Sequence, residues 1–351
     1  MEFTIERAEL ARLMTHAVRA VESRNTIPIL SMVRLDAALA LTVTATDLTI
    51  CATATGAADV ATPGSACVEA KLLADITKKA GASEMHLALA DGWLTVKSGR
   101  SKFKLATLPA EDFPSLGAES YDAEFEADLG ALLAPVSFAI SADDARYFLQ
   151  GVFMHSLDGK ITAVATDGHR LAAHYLESDE TFPDIILPRK TVALLPKGVV
   201  KFCVSASKVK ISSDCLEITS KLIDGTFPDY RRVIPVGSGK VVSFDRDALL
   251  AASDRVASIS SERGRAVKFS VAPGGISLAV RSEAGDATDE IEAEYSAEPI
   301  EIGLNASYVR DMLSVLPNGD VTFSLSDSGS PVLVKTACNE NWTGVCMPMR
   351  V

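Results

Sequence analysis

No apolar run in this chain approaches the ~20 residues that a membrane-spanning helix requires, so a chain that crosses a bilayer by helices is excluded. The opening residues Met1-Glu2-Phe3-Thr4-Ile5-Glu6-Arg7 lack the pattern of a signal peptide, and a cytoplasmic protein is expected. Six cysteines, Cys51, Cys67, Cys203, Cys215, Cys338 and Cys346, are scattered without a C-x-x-C pair, and no histidine stands at zinc-ligand spacing. They read as reduced, mostly buried small apolar residues, with no metal site and no cofactor expected. There is no G-x-S-x-G elbow and no P-loop. Basic charge is also short: 34 Lys and Arg against 46 Asp and Glu leave a formal charge of -12. That argues against a surface that coats nucleic acid everywhere, while leaving room for a local basic face.

What the sequence does contain is repetition. The stretch Val164-Ala165-Thr166-Asp167-Gly168-His169-Arg170-Leu171 has a weaker copy, Val43-Thr44-Ala45-Thr46-Asp47-Leu48, about 120 residues earlier. The neighbours repeat in the same order. After Thr46-Asp47 come a helix-like stretch from Glu69 to Ala80, strands around Leu87 and Leu94, Lys104-Leu105 and Phe113-Pro114. After Thr166-Asp167 come Pro188 to Leu195, strands around Val204 and Val209, Lys221-Leu222 and Phe227-Pro228. A third pass has helices at Asp245 to Ile259 and Asn305 to Leu316. Its strands fall at Val267 to Phe269, Ile276 to Val280, Val321 to Leu325 and Val332 to Val334. At 351 residues and 48% apolar content, three domains of similar size fit, divided as 1–120, 121–240 and 241–351.

Period-two stretches such as Leu39-Ala40-Leu41-Thr42-Val43 and Lys208-Val209-Lys210-Ile211, broken by Asp91-Gly92 and Asp158-Gly159, predict antiparallel strands. With two helices on one side of each sheet, the module is α+β. In the first helix Leu10, Leu13, Met14, Ala17 and Val21 form the core stripe, and Arg12, His16 and Arg19 project opposite. In the second, Leu72, Leu73, Ile76 and Ala80 point one way, and Lys71, Asp75 and Lys78 the other. Arg189-Lys190 and Arg310 hold comparable places later. Basic residues recurring on the outer side of repeated helices point to one surface facing a polyanion. Asp167 and His169, with a third polar group, would be a hydrolase alternative, but Asp167 has a non-catalytic counterpart in Asp47. A non-enzyme is expected.

Several longer motifs carry a family resemblance. Ser98-Gly99-Arg100-Ser101-Lys102-Phe103, Thr107-Leu108-Pro109-Ala110-Glu111-Asp112-Phe113-Pro114, Thr166 to Leu171, Ser220-Lys221-Leu222, Phe227-Pro228-Asp229-Tyr230-Arg231-Arg232-Val233 and Met347-Pro348-Met349-Arg350 resemble the bacterial DNA polymerase III beta subunit, the sliding-clamp family. The similarity runs in consistent order from Phe3 to Val351. It implies three clamp modules per chain, with sheets outside and helices inside, and a head-to-tail ring-shaped homodimer around duplex DNA. Such a ring tethers the replicative polymerase without catalysing anything. The implied partners are a second copy, double-stranded DNA, the polymerase III alpha subunit, the clamp loader delta subunit, and other polymerases and repair proteins. The proteins bind through short linear motifs.

The same resemblance implies site residues. A peptide pocket would use Arg146, Leu149, Thr166, His169, Arg170, Leu171, Pro228, Arg232, Val233, Val345, Met347, Pro348, Met349 and Arg350. Leu, Val, Pro and Met would line an adaptable apolar slot, with Arg and His at its rim. Family position adds Arg24, Lys71, Arg189 and Lys190 to Arg12 and Arg19 on the DNA side. The dimer contact would pair the strand from Arg100 to Leu105 with the segment at Ser258-Ile259, through Phe103, Leu105 and Ile259. Three residues depart from the family: Gly329 where a larger apolar residue is common at the pocket, Val351 in place of Leu, and Asp143 in a loop where it would repel phosphate. Gly329 is the feature behind a second reading, a clamp paralogue with a restricted set of partners.

Overall fold

Helical spacing of apolar residues decides where this chain coils, and at three of the longer helices a capping side chain fixes where the coil begins. The computed structural model of the protein describes residues 1–22, 26–117, 120–237, 239–259, 266–283 and 285–350. Among these, six α-helices form: α1 (Arg7–Val18), α2 (Ala70–Lys79), α3 (Leu129–Leu133), α4 (Arg189–Leu194), α5 (Arg246–Ala257) and α6 (Ala306–Ser314). In α1, Leu10, Leu13, Met14 and Ala17 are buried, while Val21 lies beyond the helix end. The carboxylate of Glu69 caps α2 by accepting from the backbone N–H groups of Lys71 and Leu72. Asp245 does the same for α5 at Ala248 N, 2.8 Å, and Asn305 for α6 at Ser307 N, 2.9 Å.

The core stripe of α2 differs from the sequence expectation at two positions, Leu72 and Ala80, the latter half-buried and just past the helix end. Ala70, Leu73, Ile76 and Thr77 are buried, whereas Leu72 is 46% exposed. At 100° per residue, Leu72 lies a full step off the line through Leu73, Ile76 and Thr77.

Each repeat runs strand, helix, three strands, strand, helix, three strands, and the first adds a short strand, Asp59–Thr62. Every pairing between these strands is antiparallel, and the hairpins at Asp91-Gly92 and Asp158-Gly159 turn through paired positive φ values of 52° and 75°, and 53° and 70°. The sheets do not stop at repeat boundaries. The last strand of the second repeat, Leu216–Lys221, pairs with Ile50–Gly56 of the first, placing Thr219 opposite Cys51. The last strand of the third, Trp342–Cys346, likewise pairs with Arg170–Glu177 of the second, placing Ala172 opposite Gly344.

These seams explain why the chain folds into two compact units that divide the middle repeat. One unit comprises Met1–Leu129 with Ala193–Leu222, and the other Gly130–Val192 with Ile223–Val351. The first contains a 13-stranded sheet, and the second an 8-stranded and a 4-stranded sheet. Within the first, α1 packs on α2; within the second, α5 packs on α6. Among the described residues no helix is long and apolar enough to cross a membrane.

Candidate functional site

The turn from Thr166 to Arg170 joins the strands Lys160–Thr166 and Arg170–Glu177, and its side chains hold it shut. Thr166 Oγ1 donates to Arg170 O at 2.7 Å and accepts from Gly168 N at 3.1 Å. Asp167 Oδ1 accepts from His169 N at 2.9 Å and Arg170 N at 3.0 Å. The first repeat makes the same bonds. Thr46 Oγ1 donates to Ile50 O at 2.8 Å and accepts from Leu48 N at 3.1 Å, while Asp47 Oδ1 accepts from Thr49 N at 2.8 Å and Ile50 N at 2.7 Å. The Thr-Asp pair recurs because it braces a turn. Asp167 is therefore a turn carboxylate whose second oxygen takes Arg170 Nε at 3.0 Å, which removes the orienting acid from the hydrolase alternative.

The third turn residue has a left-handed backbone in both copies, φ 74° at Leu48 and 87° at Gly168. A Cβ on Gly168 would lie 2.5 Å from Arg146 Nη1, so glycine is what admits that guanidinium. Arg146 Nε in turn donates to Asp143 Oδ2 at 2.9 Å, and Asp143 Oδ1 caps the 3-10 turn Asp144–Leu149 at Ala145 N, 3.0 Å. The bond from Arg146, and then that from Ala145, holds the Asp143 carboxyl below its usual range. Asp143 thus serves as a structural cap.

Arg170 is the post of the site. Its Nη1 donates to Asp311 Oδ2 at 2.8 Å, and the guanidinium carbon lies 4.6 Å from the Tyr308 ring centroid and 5.3 Å from that of Phe138. With a side chain only 11% exposed, it fixes the turn against α6. Beside it Leu149, Leu171 and Val345 belong to one buried cluster with Val164, Ile186 and Phe227. Met347, 37% exposed, is tied to the turn by its N–H to His169 O at 2.8 Å.

These groups surround an apolar cavity of about 280 Å³. Ten of the fourteen residues expected at a pocket line it: Arg146, Leu149, Thr166, His169, Arg170, Leu171, Pro228, Val233, Val345 and Met347. Arg232, Pro348, Met349 and Arg350 do not. The Arg232 side chain is 84% exposed and pairs with Asp229 at 2.9 Å. Met349 N–H bonds Gly303 O at 2.8 Å, drawing the tail onto the strand Ile300–Asn305. Gly329 lies in an exposed turn, its N–H on Asp327 Oδ1 at 2.8 Å, and is outside the cavity wall. The restricted-partner reading therefore loses its supporting residue. Val351 lies outside the described residues.

Sequence reasoning missed Gly168, Asp229 and Tyr230 in the lining. Asp229 and Tyr230 stand inside a motif already singled out, but the placing of Tyr230 depends on His155, whose Nε2 is 2.9 Å from the Tyr230 hydroxyl. Burial, and then Arg231, push the His155 imidazole below its ordinary value, with Asp184 opposing. The folded state thus resists a proton that the unfolded state accepts near pH ~6.5. Stability contributed by neutral His155 is complete above that pH and is lost as pH falls toward the lower folded value. A His155→Gln variant is expected to flatten the melting-temperature profile between about pH 7 and about pH 5 relative to the native chain, as measured by circular dichroism. An unchanged slope would refute this.

The expected cationic face is only partly free. Arg12 is bound to Glu9 at 2.6 Å and to Thr55 O at 3.3 Å; this pairing lowers the Glu9 carboxyl, raises the arginine, and cancels much of its charge toward a polyanion. Arg19 donates to Ala193 O, and Arg189 Nη2 to Ile140 O at 2.6 Å and Ser141 O at 2.9 Å, which leaves their charge in place but fixes their direction. Arg12 and Arg19 do share a face with His16. That imidazole is held below its ordinary value, first by burial and then by the two guanidinium groups. Lys71 is exposed and Lys190 half-buried. Arg24 lies outside the described residues.

At the expected dimer strand, Leu105 is only 6% exposed and faces Leu94 across the sheet, so it is core rather than contact. Phe103 is 37% exposed. Residues 101–106 pair with Trp93–Ser98 on one side, and the strand Gly64–Glu69 meets this strand only at Thr107 and Leu108, leaving an open edge. Ile259 is half-buried, and its carbonyl accepts from Ser282 Oγ at 2.8 Å. Sequence reasoning missed the strand that begins just beyond Ser282, Gly285–Ala293, which among the described residues pairs only with Gly274–Ser282 and forms the edge of its sheet.

The family models of the DNA polymerase III beta subunit match the chain three times: the N-terminal domain at residues 1–117, the central domain at 126–229 and the C-terminal domain at 231–350. The chain belongs to the DNA polymerase III beta subunit family. Its relatives include the beta sliding clamps of Caulobacter vibrioides, 39% identical over 372 residues, and of Escherichia coli, 33% identical over 366 residues, each covering 100% of both chains. Among solved structures, the DnaN sliding clamp from Bartonella birtlesii bound to griselimycin superposes with a TM-score of 0.96 at 36% identity, covering 100% of each chain. A beta sliding clamp of C. crescentus gives 0.95 at 39%, covering 100% of this chain and 99% of that one. The chain is thus a sliding clamp of DNA replication, built of three clamp domains and acting as a non-catalytic processivity subunit.

Proposed function

We propose that two copies of this clamp join head to tail into a ring around duplex DNA, with domains divided at 1–120, 121–240 and 241–351, and that the 280 Å³ cavity seats short linear peptides of its partners. The observation that carries the ring is the recurrence of the seam. The last strand of the second repeat pairs with the fourth of the first, and the last strand of the third with the fourth of the second. One such pair is left over: Ser101–Leu108, the last strand of the first repeat, and Gly285–Ala293, the fourth of the third. Within one chain a head-to-tail contact of this kind has no mate; between two copies it is made twice and closes. The outer face of Gly285–Ala293 carries Asp286, Glu290 and Glu292, and that of Ser101–Leu108 carries Lys102 and Lys104, so the two edges are complementary in charge.

Enclosure then holds the DNA, and Lys71, Arg19, Arg189 and Lys190 supply sequence-independent, salt-sensitive attraction to phosphates. The working compartment is the cytoplasm. The apolar floor of the cavity, with the adaptable Met347 at its edge, suits leucine and aromatic anchors from several different peptides. The polymerase III alpha and clamp loader delta subunits are the proposed owners of such peptides.

Light scattering should report a dimer, and the clamp should stay on nicked circular DNA in a loader- and ATP-dependent manner and fall off after linearisation. A monomer, or retention that ignores linearisation, would overturn the ring. Peptides from the alpha and delta subunits are expected to compete with each other. Met347→Lys should weaken both by roughly tenfold or more, because it puts a charge into an apolar slot. Unaltered affinity would place the peptide site elsewhere.

A further inference from the structure

A second cavity, of about 300 Å³, opens beside the first, and Pro228, Asp229 and Tyr230 line both. Its floor is aromatic. Phe153 stacks on Phe227 with centroids 4.9 Å apart and planes 6° from parallel, and the His155 ring lies 5.3 Å from Phe153. His155 is 6% exposed, and its bond to the Tyr230 hydroxyl ties this floor to the shared wall. Leu157, also in the lining, is 47% exposed at the end of its strand.

We infer that this second cavity receives one aromatic side chain of the peptide that fills the first, from a residue just outside the anchoring segment. The inference rests on the peptide reading of the first cavity. Its volume, close to that of the first cavity, leaves room for a side chain beside the peptide's anchors. Continuity supports the same peptide as the source, because only a three-residue wall separates the two floors. The chemistry supports an aromatic ring. Phe153, Phe227 and His155 give the lining its aromatic part and Leu157 an apolar lip, beside Ser156, Asp184 and Arg231.

The test uses the full-length clamp and fluorescein-labelled peptides in an anisotropy titration. The parent is a five-residue peptide with leucine and phenylalanine anchors. Four extended forms add Gly-Trp or Gly-Ala at the amino or the carboxyl end. One tryptophan form is expected to bind roughly tenfold more tightly than its alanine counterpart, the scale of one aromatic side chain leaving water. In Leu157→Asp, with Leu157→Lys as a second variant should the first fold poorly, that ratio is expected to fall to about one. A ratio of one at both ends in the native clamp overturns the inference while leaving the first cavity's reading intact, as does a ratio that the Leu157 variants preserve. Absence of binding by every peptide, the parent included, overturns both.

Discussion

Lys102→Glu combined with Lys104→Glu is expected to convert the dimer into a monomer at micromolar concentration, weakening self-association roughly a hundredfold or more. The two lysines alternate with buried Leu105 and so face outward on an open strand edge. The partner edge alternates in the same way around buried Ile291, which sends Glu290 and Glu292 outward and turns Asp289 to Arg255 at 2.5 Å. Cross-strand charge pairs contribute about 0.2–1 kcal/mol each, and reversing two lysines replaces attraction by repulsion at both contacts of a ring. Neither lysine is buried, but Lys104 lies 4.8 Å from the Trp93 ring centroid, so the monomer's own stability should fall by about 1 kcal/mol. Sedimentation velocity with and without added salt measures the first effect, and thermal melting the second. Adding Glu290→Lys and Glu292→Lys to the same chain should restore the dimer. A double variant that stays dimeric would put the self-contact on another surface.

The second large effect is expected at Arg170. Arg170→Ala leaves Asp167 and Asp311 without their shared cation and strips the ring faces of Tyr308 and Phe138 of their partner. Breaking a buried pair costs about 3–5 kcal/mol; with the Asp311 side chain 34% exposed, a loss of about 2–3 kcal/mol is expected. Binding should suffer as well, since His169 and, through its backbone bond, Met347 both depend on this turn. Lysine should not rescue either property, because one ammonium cannot bridge two carboxylates and lie flat between two rings. Urea unfolding and peptide anisotropy on the same preparations test this. An Arg170→Lys variant equal to the native chain in both would sink the account.

How much of this was legible in the sequence follows from where each signal lies. The helix at 70–79 could be read because its cap and apolar spacing are local, and the Thr-Asp repeat because the same turn is braced twice by the same two side chains. The strand Gly285–Ala293 could not. An edge strand with an acidic outer face and Ile291 as its one large apolar residue carries almost no period-two apolar signal. Most of the cavity was reachable through motifs, but Arg170, expected as a rim group, is a nearly buried post because Asp311 lies 141 positions away. The placing of Tyr230 likewise depends on a histidine 75 positions upstream. On the cationic face, the pairing of Arg12 with Glu9 at i−3 was open to inspection, whereas the carbonyls that take Arg189 were not.

The braced turn occurs twice, and the chain leaving each seam is fastened alike, Lys221 N–H to Thr49 O at 2.8 Å and Met347 N–H to His169 O at 2.8 Å. Leu48 tolerates its left-handed backbone at a cost of about 1–2 kcal/mol, whereas Gly168 takes the same conformation freely and leaves space for Arg146. The repeat thus supplies the same joint at two places. One joint carries a leucine side chain and serves as masonry; the other carries none, and the room goes to a guanidinium on the wall of a cavity.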